Sequence, residues 1–160
     1  MKKLLSILTL SITMMFTHTA MAEEGYFGAG VSSVNSNDIG TAGLNLDLIA
    51  GLHMSDNFAI ELSLDTSLTK AKASGVDVSL QTLAGYSVFR SGGGDTYFKA
   101  KAGFHSTTSK TSTTSTTDDG LAYGIGVGFG GMYEVEYTIL KAKSSTGNAD
   151  LNKITFTVLF

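Results

Sequence analysis

The chain of 160 residues contains neither cysteine nor proline. Without cysteine it cannot be a disulfide scaffold, and no thiol follows the N-terminal apolar stretch to take a lipid. Basic clusters are missing too, and the formal charge is −3, which argues against a nucleic-acid partner. After residue 22 no run approaches 18 consecutive apolar residues, so no transmembrane helix is expected. A membrane is not thereby excluded, because a spanning strand needs only about 9–11 residues. Nor does the glycine-rich, Ser/Thr-rich composition mean disorder, since apolar residues recur regularly throughout.

The first 22 residues read as a targeting segment. Lys2 and Lys3 form a positive head, Leu4 to Phe16 an apolar core, and Ala20-Met21-Ala22 a small-residue cleavage site. The apolar core is short for a spanning helix, and an uncleaved anchor is the alternative. Cleavage after Ala22 leaves one domain, 23–160, and takes the formal charge from −3 to −5 by removing two lysines.

The remainder alternates with a period of two, the mark of strands. The last stretch, LNKITFTVLF, sets Ile154, Phe156, Val158 and Phe160 against Thr155 and Thr157. A free terminus rarely ends on a bare apolar strand, so this one must be paired, buried or covered by lipid. Earlier strands are expected at about 25–34, 44–54, 58–70, 76–89, 96–106, 121–129 and 132–140. Polar or glycine-rich connections separate them, among them 35–43, 107–120 and 141–150. The first, third, fifth and seventh connections are the longer ones, as in an up-and-down barrel with long loops at one end and short turns at the other. The expected fold class is all-β, an eight-stranded antiparallel up-and-down transmembrane barrel.

Orientation follows from chemistry. One parity carries Leu, Ile, Val, Phe and Tyr; the other carries Asp47, Glu61, Asp65, Asp77, Lys99, Lys101, Glu134 and Glu136. A narrow eight-stranded lumen suits the small and charged set, and lipid suits the apolar one. On strand 4 the apolar parity is Val76, Val78, Leu80, Ala84, Tyr86 and Val88, with Leu83 the misfit. An outward girdle of Phe27, Phe58, Tyr86, Phe98, Phe129, Tyr133 and Phe160 is expected at the lower strand ends, with Phe104, Tyr123 and Tyr137 nearer the top.

Enclosed charges need partners. Lys99 and Lys101 are therefore expected to pair with Glu134, Glu136 or Glu61, with Gly124, Gly126 and Gly128 leaving room for the lysine stems. This is a charge-paired plug, or alternatively an ion path. Catalysis would need His53 or His105 with a nucleophile and a carboxylate. His53 reads as a lumen filler, and adjacent His105 and Ser106 point to opposite faces, so no catalytic site is expected. Asp118 and Asp119 have too few neighbouring ligands for calcium, and AYGIGVGFGG is strand alternation, not a phosphate loop. No cofactor or metal is expected.

With the targeting segment, the opening GYFGAGV, eight alternating strands and the final aromatic, the chain resembles the small OmpA/OmpX-type outer-membrane barrels. The resemblance covers the mature chain, through degenerate patterns rather than fixed residues. It implies export through the periplasm to the outer membrane, with outer-membrane lipid, periplasmic chaperones and the barrel-assembly machinery as partners, and a monomer. Phe160, supported by Val158 and Phe156, matches the assembly signal of such families. Because the sequence stops at Phe160, the peptidoglycan-binding domain of full-length OmpA-like proteins is expected to be missing. The role implied is structural or surface-interacting, with a narrow pore as the alternative and lipid A modification a remote one. The connections 35–43, 107–120 and 141–150, where binding would occur, lack aromatic or arginine anchors.

Overall fold

The computed structural model describes residues 25–36, 39–41, 43–73, 75–92, 95–144 and 147–160. Residues 1–24, among them the expected cleavage site at Ala20 and Ala22, lie outside the described residues.

Ten strands are described: β1 (Gly25–Ser36), β2 (Ile39–Thr41), β3 (Gly43–His53), β4 (Phe58–Ser67), β5 (Ala71–Ala73), β6 (Val76–Ser91), β7 (Thr96–Lys110), β8 (Ser115–Phe129), β9 (Tyr133–Ser144) and β10 (Gly147–Leu159). Eight of them close a barrel in chain order, each antiparallel to the next, while β2 and β5 pair with one another above it. Closure joins β1 to β10, from Gly28 opposite Leu159 to Ser36 opposite Leu151. Phe27 and Phe160 exchange backbone hydrogen bonds below that pairing. Both ends of the barrel chain therefore meet at one rim, here the lower one.

Turn chemistry explains the short connections. Gly130 and Gly131 have φ of 62° and 66°, left-handed values that glycine adopts freely, and with Met132 they form a three-residue turn between Phe129 and Tyr133, one residue longer than the glycine pair alone suggests. Between β3 and β4, the Asn57 side-chain amide donates to the Arg90 carbonyl at 2.8 Å, tying the turn to β6.

At the upper rim the expected long loops are largely strand. The stretch 107–120 is a tall β7–β8 hairpin, paired from Thr107 opposite Asp118 to Lys110 opposite Ser115, with only 111–114 turning. Its Ser/Thr residues suit this, because hydroxyls pair across strands: Thr108 Oγ1 lies 3.0 Å from Thr117 Oγ1. Similarly, β9 and β10 run through most of 141–150, and β2 lies within 35–43.

Large apolar side chains face outward. Phe98, Phe104, Ile125 and Ile154 are more than half exposed, whereas Asp47, Glu61, Asp65 and Glu134 are at most 1% exposed. A water-soluble barrel would reverse this arrangement. The lower girdle is present, with Phe27, Phe58, Phe98, Phe129, Tyr133 and Phe160 exposed and Tyr133 stacked between Phe129 and Phe156 at 5.7 and 6.0 Å.

Strand β6 corrects the expectation. Leu80, Ala84, Tyr86 and Val88 are buried in the lumen, while Leu83, Ser87 and Phe89 take the outward parity and Asp77 is exposed. Register decides this, because cross-strand partners share a face: Phe58 is opposite Phe89, and Glu61 is opposite Tyr86. Phe89 therefore takes the girdle place expected of Tyr86, packing edge-on to Phe58 at 5.2 Å.

Candidate functional site

Two ion-paired centres fill the lumen. In the lower one, Lys99 and Lys101 project inward from β7, Glu61 from β4, and Glu134 and Glu136 from β9. Lys99 Nζ lies 2.6 Å from Glu61 Oε2 and 2.9 Å from Glu134 Oε2, and it also contacts Glu136. Lys101 pairs with Glu136, and its Nζ is 3.7 Å from Glu61 Oε1. Strands β4, β7 and β9 are not neighbours in the sheet, so these contacts span the interior.

Several residues of this centre were not foreseen. Arg90, placed by its sequence in a turn, reaches inward and donates from Nη2 to Glu134 Oε1 at 2.9 Å. Its guanidinium lies 4.4 Å from the Tyr26 ring centre and 4.9 Å from that of Tyr97, a favourable cation–π arrangement. Tyr26 donates to Glu61 at 3.0 Å, and Tyr97 donates to Glu134. Glycines make room for both rings. A Cβ on Gly51 would fall 2.1 Å from Tyr26 Cζ, and one on Gly128 the same distance from Tyr97 Cζ. His53 is more than a filler, since its Nε2 lies 3.2 Å from Arg90 Nη1.

The centre balances among the described residues: Glu61, Glu134 and Glu136 against Arg90, Lys99 and Lys101. These three carboxylates bring oxygens within 4.8 Å of one another. The Lys99 ammonium contacts all three, so it holds the position that a metal ion would take. Below them, a cavity of about 720 Å³ opens at the lower rim, lined by Tyr26, His53, Arg90, Tyr97, Leu159 and Phe160 among others. It ends on the ion-paired layer.

The upper centre consists of Asp47, Asp65 and a lysine that the sequence reading passed over. Lys153 Nζ lies 2.7 Å from Asp47 Oδ1 and 2.8 Å from Asp65 Oδ2. Its parity with Thr155 and Thr157 was the available signal. Nearby, Thr82 and Thr107 hydroxyls are 3.1 Å apart, and Thr107 Oγ1 is 2.9 Å from His105 Nδ1. The other ring nitrogen of His105 lies 3.1 Å from the Lys141 carbonyl oxygen. His105 thus meets hydroxyl and carbonyl groups.

A family model described as "outer membrane protein beta-barrel domain" matches residues 7–160. The chain belongs to that family. Solved structures with the same fold include Neisserial surface protein A, 14% identical with a TM-score of 0.62, covering 84% of this chain and 95% of that one. The attachment invasion locus protein Ail of Yersinia pestis, solved with the heparin analogue sucrose octasulfate, is 12% identical with a TM-score of 0.56, covering 85% and 97%. OprG of Pseudomonas aeruginosa is 11% identical with a TM-score of 0.55, covering 87% and 97%. No curated protein matches the sequence. At these identities the likeness is one of fold. Membership of the family points to the outer membrane.

Proposed function

We propose that this protein is a closed outer-membrane barrel whose lumen is a structural plug and whose interactions occur on the strand extensions at the upper rim. The observation that carries this reading is the lower ion-paired centre. Three basic and three acidic side chains meet across the interior, with Lys99 and Glu61 at most 3% exposed. Opening it means separating buried charges, at about 3–5 kcal/mol for each partner removed. The tall β7–β8 hairpin presents a hydroxyl-rich surface, suited to polar contacts rather than to an apolar hot spot.

A narrow pore is the second reading, favoured by the cavity of about 720 Å³ at the lower rim. Conductance across a planar bilayer distinguishes the two: silence supports the plug, and stable ion steps support the pore. A catalytic role has less support, since the described partners of His105 are Thr107 and the Lys141 carbonyl, not a carboxylate.

The same reading assigns partners. Outer-membrane lipid covers the exposed apolar belt, and the barrel is a monomer. Periplasmic chaperones carry the exported chain after removal of its first 22 residues. The barrel-assembly machinery then reads Phe156, Val158 and Phe160, of which Phe160 is 78% exposed. Replacing Phe160 by Ser is expected to lower the folded fraction recovered from cells while leaving refolding in detergent unchanged.

A further inference from the structure

The two lumen centres differ in charge balance. Below, three carboxylates face three cations. Above, Asp47 and Asp65, each 1% exposed, share the single ammonium of Lys153. One negative charge is left over among the described residues, and a buried uncompensated carboxylate costs several kcal/mol.

Orphaned oxygens lie in the same region. Among the described residues Asp47 Oδ2 has no hydrogen-bond partner, and neither do Ser32 Oγ and Thr155 Oγ1, on residues 2% and 3% exposed. Register brings them together. Ser32 lies opposite both Thr155 and Asn45, Asp47 is two residues along from Asn45 on the same inward face, and Gly30, opposite Asp47, contributes no side chain. Buried polar atoms without protein partners mark a place for a ligand or ordered solvent.

From this geometry we infer that the upper lumen binds a monovalent metal cation of the sodium or potassium type beside Asp47 Oδ2. Ser32 and Thr155 complete its surroundings directly or through its waters. Lys153 occupies the other oxygen of Asp47, leaving Oδ2 turned to the cation. Oxygen donors are the chemistry that hard cations take. A proton on Asp47 or on Asp65, its cross-strand partner, would cancel the charge but leave both hydroxyls unsatisfied, whereas a hydrated cation answers both needs.

The test uses the refolded full barrel in detergent at constant ionic strength and neutral pH. The heat-unfolding midpoint is read by gel mobility in sodium chloride, potassium chloride or choline chloride. A midpoint about 3 °C or more higher in sodium or potassium than in choline is expected, because a ligand of the folded state alone stabilises it by mass action. Asp47→Asn should abolish the difference, while Asp56→Asn, on the exposed turn between β3 and β4, should keep it. Crystals grown in thallium(I) supply a readout independent of variants, with an anomalous peak expected beside Asp47. Equal midpoints in all three salts, or an empty anomalous map at Asp47, would each overturn the inference.

Discussion

Lys99 and Glu61 meet at 2.6 Å in the centre of the lumen, brought together from strands that are not neighbours. The contact exists only in the closed barrel, so it reports on closure and lumen chemistry at once. Removing Lys99 leaves three carboxylates facing two cations. Lys99→Met is therefore expected to destabilise the barrel by about 3–5 kcal/mol. Lys99→Met combined with Glu61→Gln should recover part of that loss, as a double-mutant cycle in urea unfolding measures.

Charge on the outer wall tests the direction of the faces. Ile125 is 67% exposed on the outward parity of β8. Ile125→Arg, opposite Ala100 and Tyr137 midway along the barrel wall, should cost about 2–4 kcal/mol in a bilayer. Ser112→Arg, exposed in the 111–114 turn above the barrel, should change stability by no more than about 0.5 kcal/mol. Equal effects at the two positions would contradict a lipid-facing belt.

Strand β6 offers a sharper check because its facing reverses the sequence expectation. Spin labels on Ser87→Cys and Phe89→Cys are expected to be accessible to oxygen dissolved in lipid, and a label on Tyr86→Cys shielded. Electron paramagnetic resonance relaxation in bilayers measures this directly. Oxygen access at Tyr86 alone would restore the original parity.

Gly51 is a steric test of the lower centre. Because a Cβ there would fall 2.1 Å from Tyr26 Cζ, Gly51→Val must displace the ring that donates to Glu61. The expected result is a loss of about 1–3 kcal/mol, largely absent in a Tyr26→Ala background. A similar loss in both backgrounds would place the cost in the backbone instead.

Much of this architecture was legible because strand parity and charge vary together. On β7, Lys99 and Lys101 alternate with Phe98, Ala100 and Ala102, so one line of sequence assigns both faces. The lower charge cluster followed from the same logic, with Glu61, Glu134 and Glu136 on the matching parity of their strands. On β6 the two signals separate. Tyr86 and Val88 look like lipid-facing residues, yet Tyr86 lies under the Lys101 ammonium at 4.4 Å, a diagonal contact with the neighbouring strand β7 that forms only on the inward face. The register with β4 fixes the face, and register depends on pairing that no single strand encodes. Arg90 escaped for a similar reason, since its neighbours Ser91, Gly92 and Asp95 read as a turn. The hairpin 107–120 was obscured by composition: serine and threonine serve loops and paired strands alike, and only a partner strand tells them apart.

Planar-bilayer recording of the refolded protein asks whether the lumen is closed. With Arg90, Lys99 and Lys101 paired against Glu61, Glu134 and Glu136, the wild-type barrel should insert and give no stable ion steps. Sustained, uniform conductance steps from a preparation shown by heat-dependent gel mobility to be folded would contradict it.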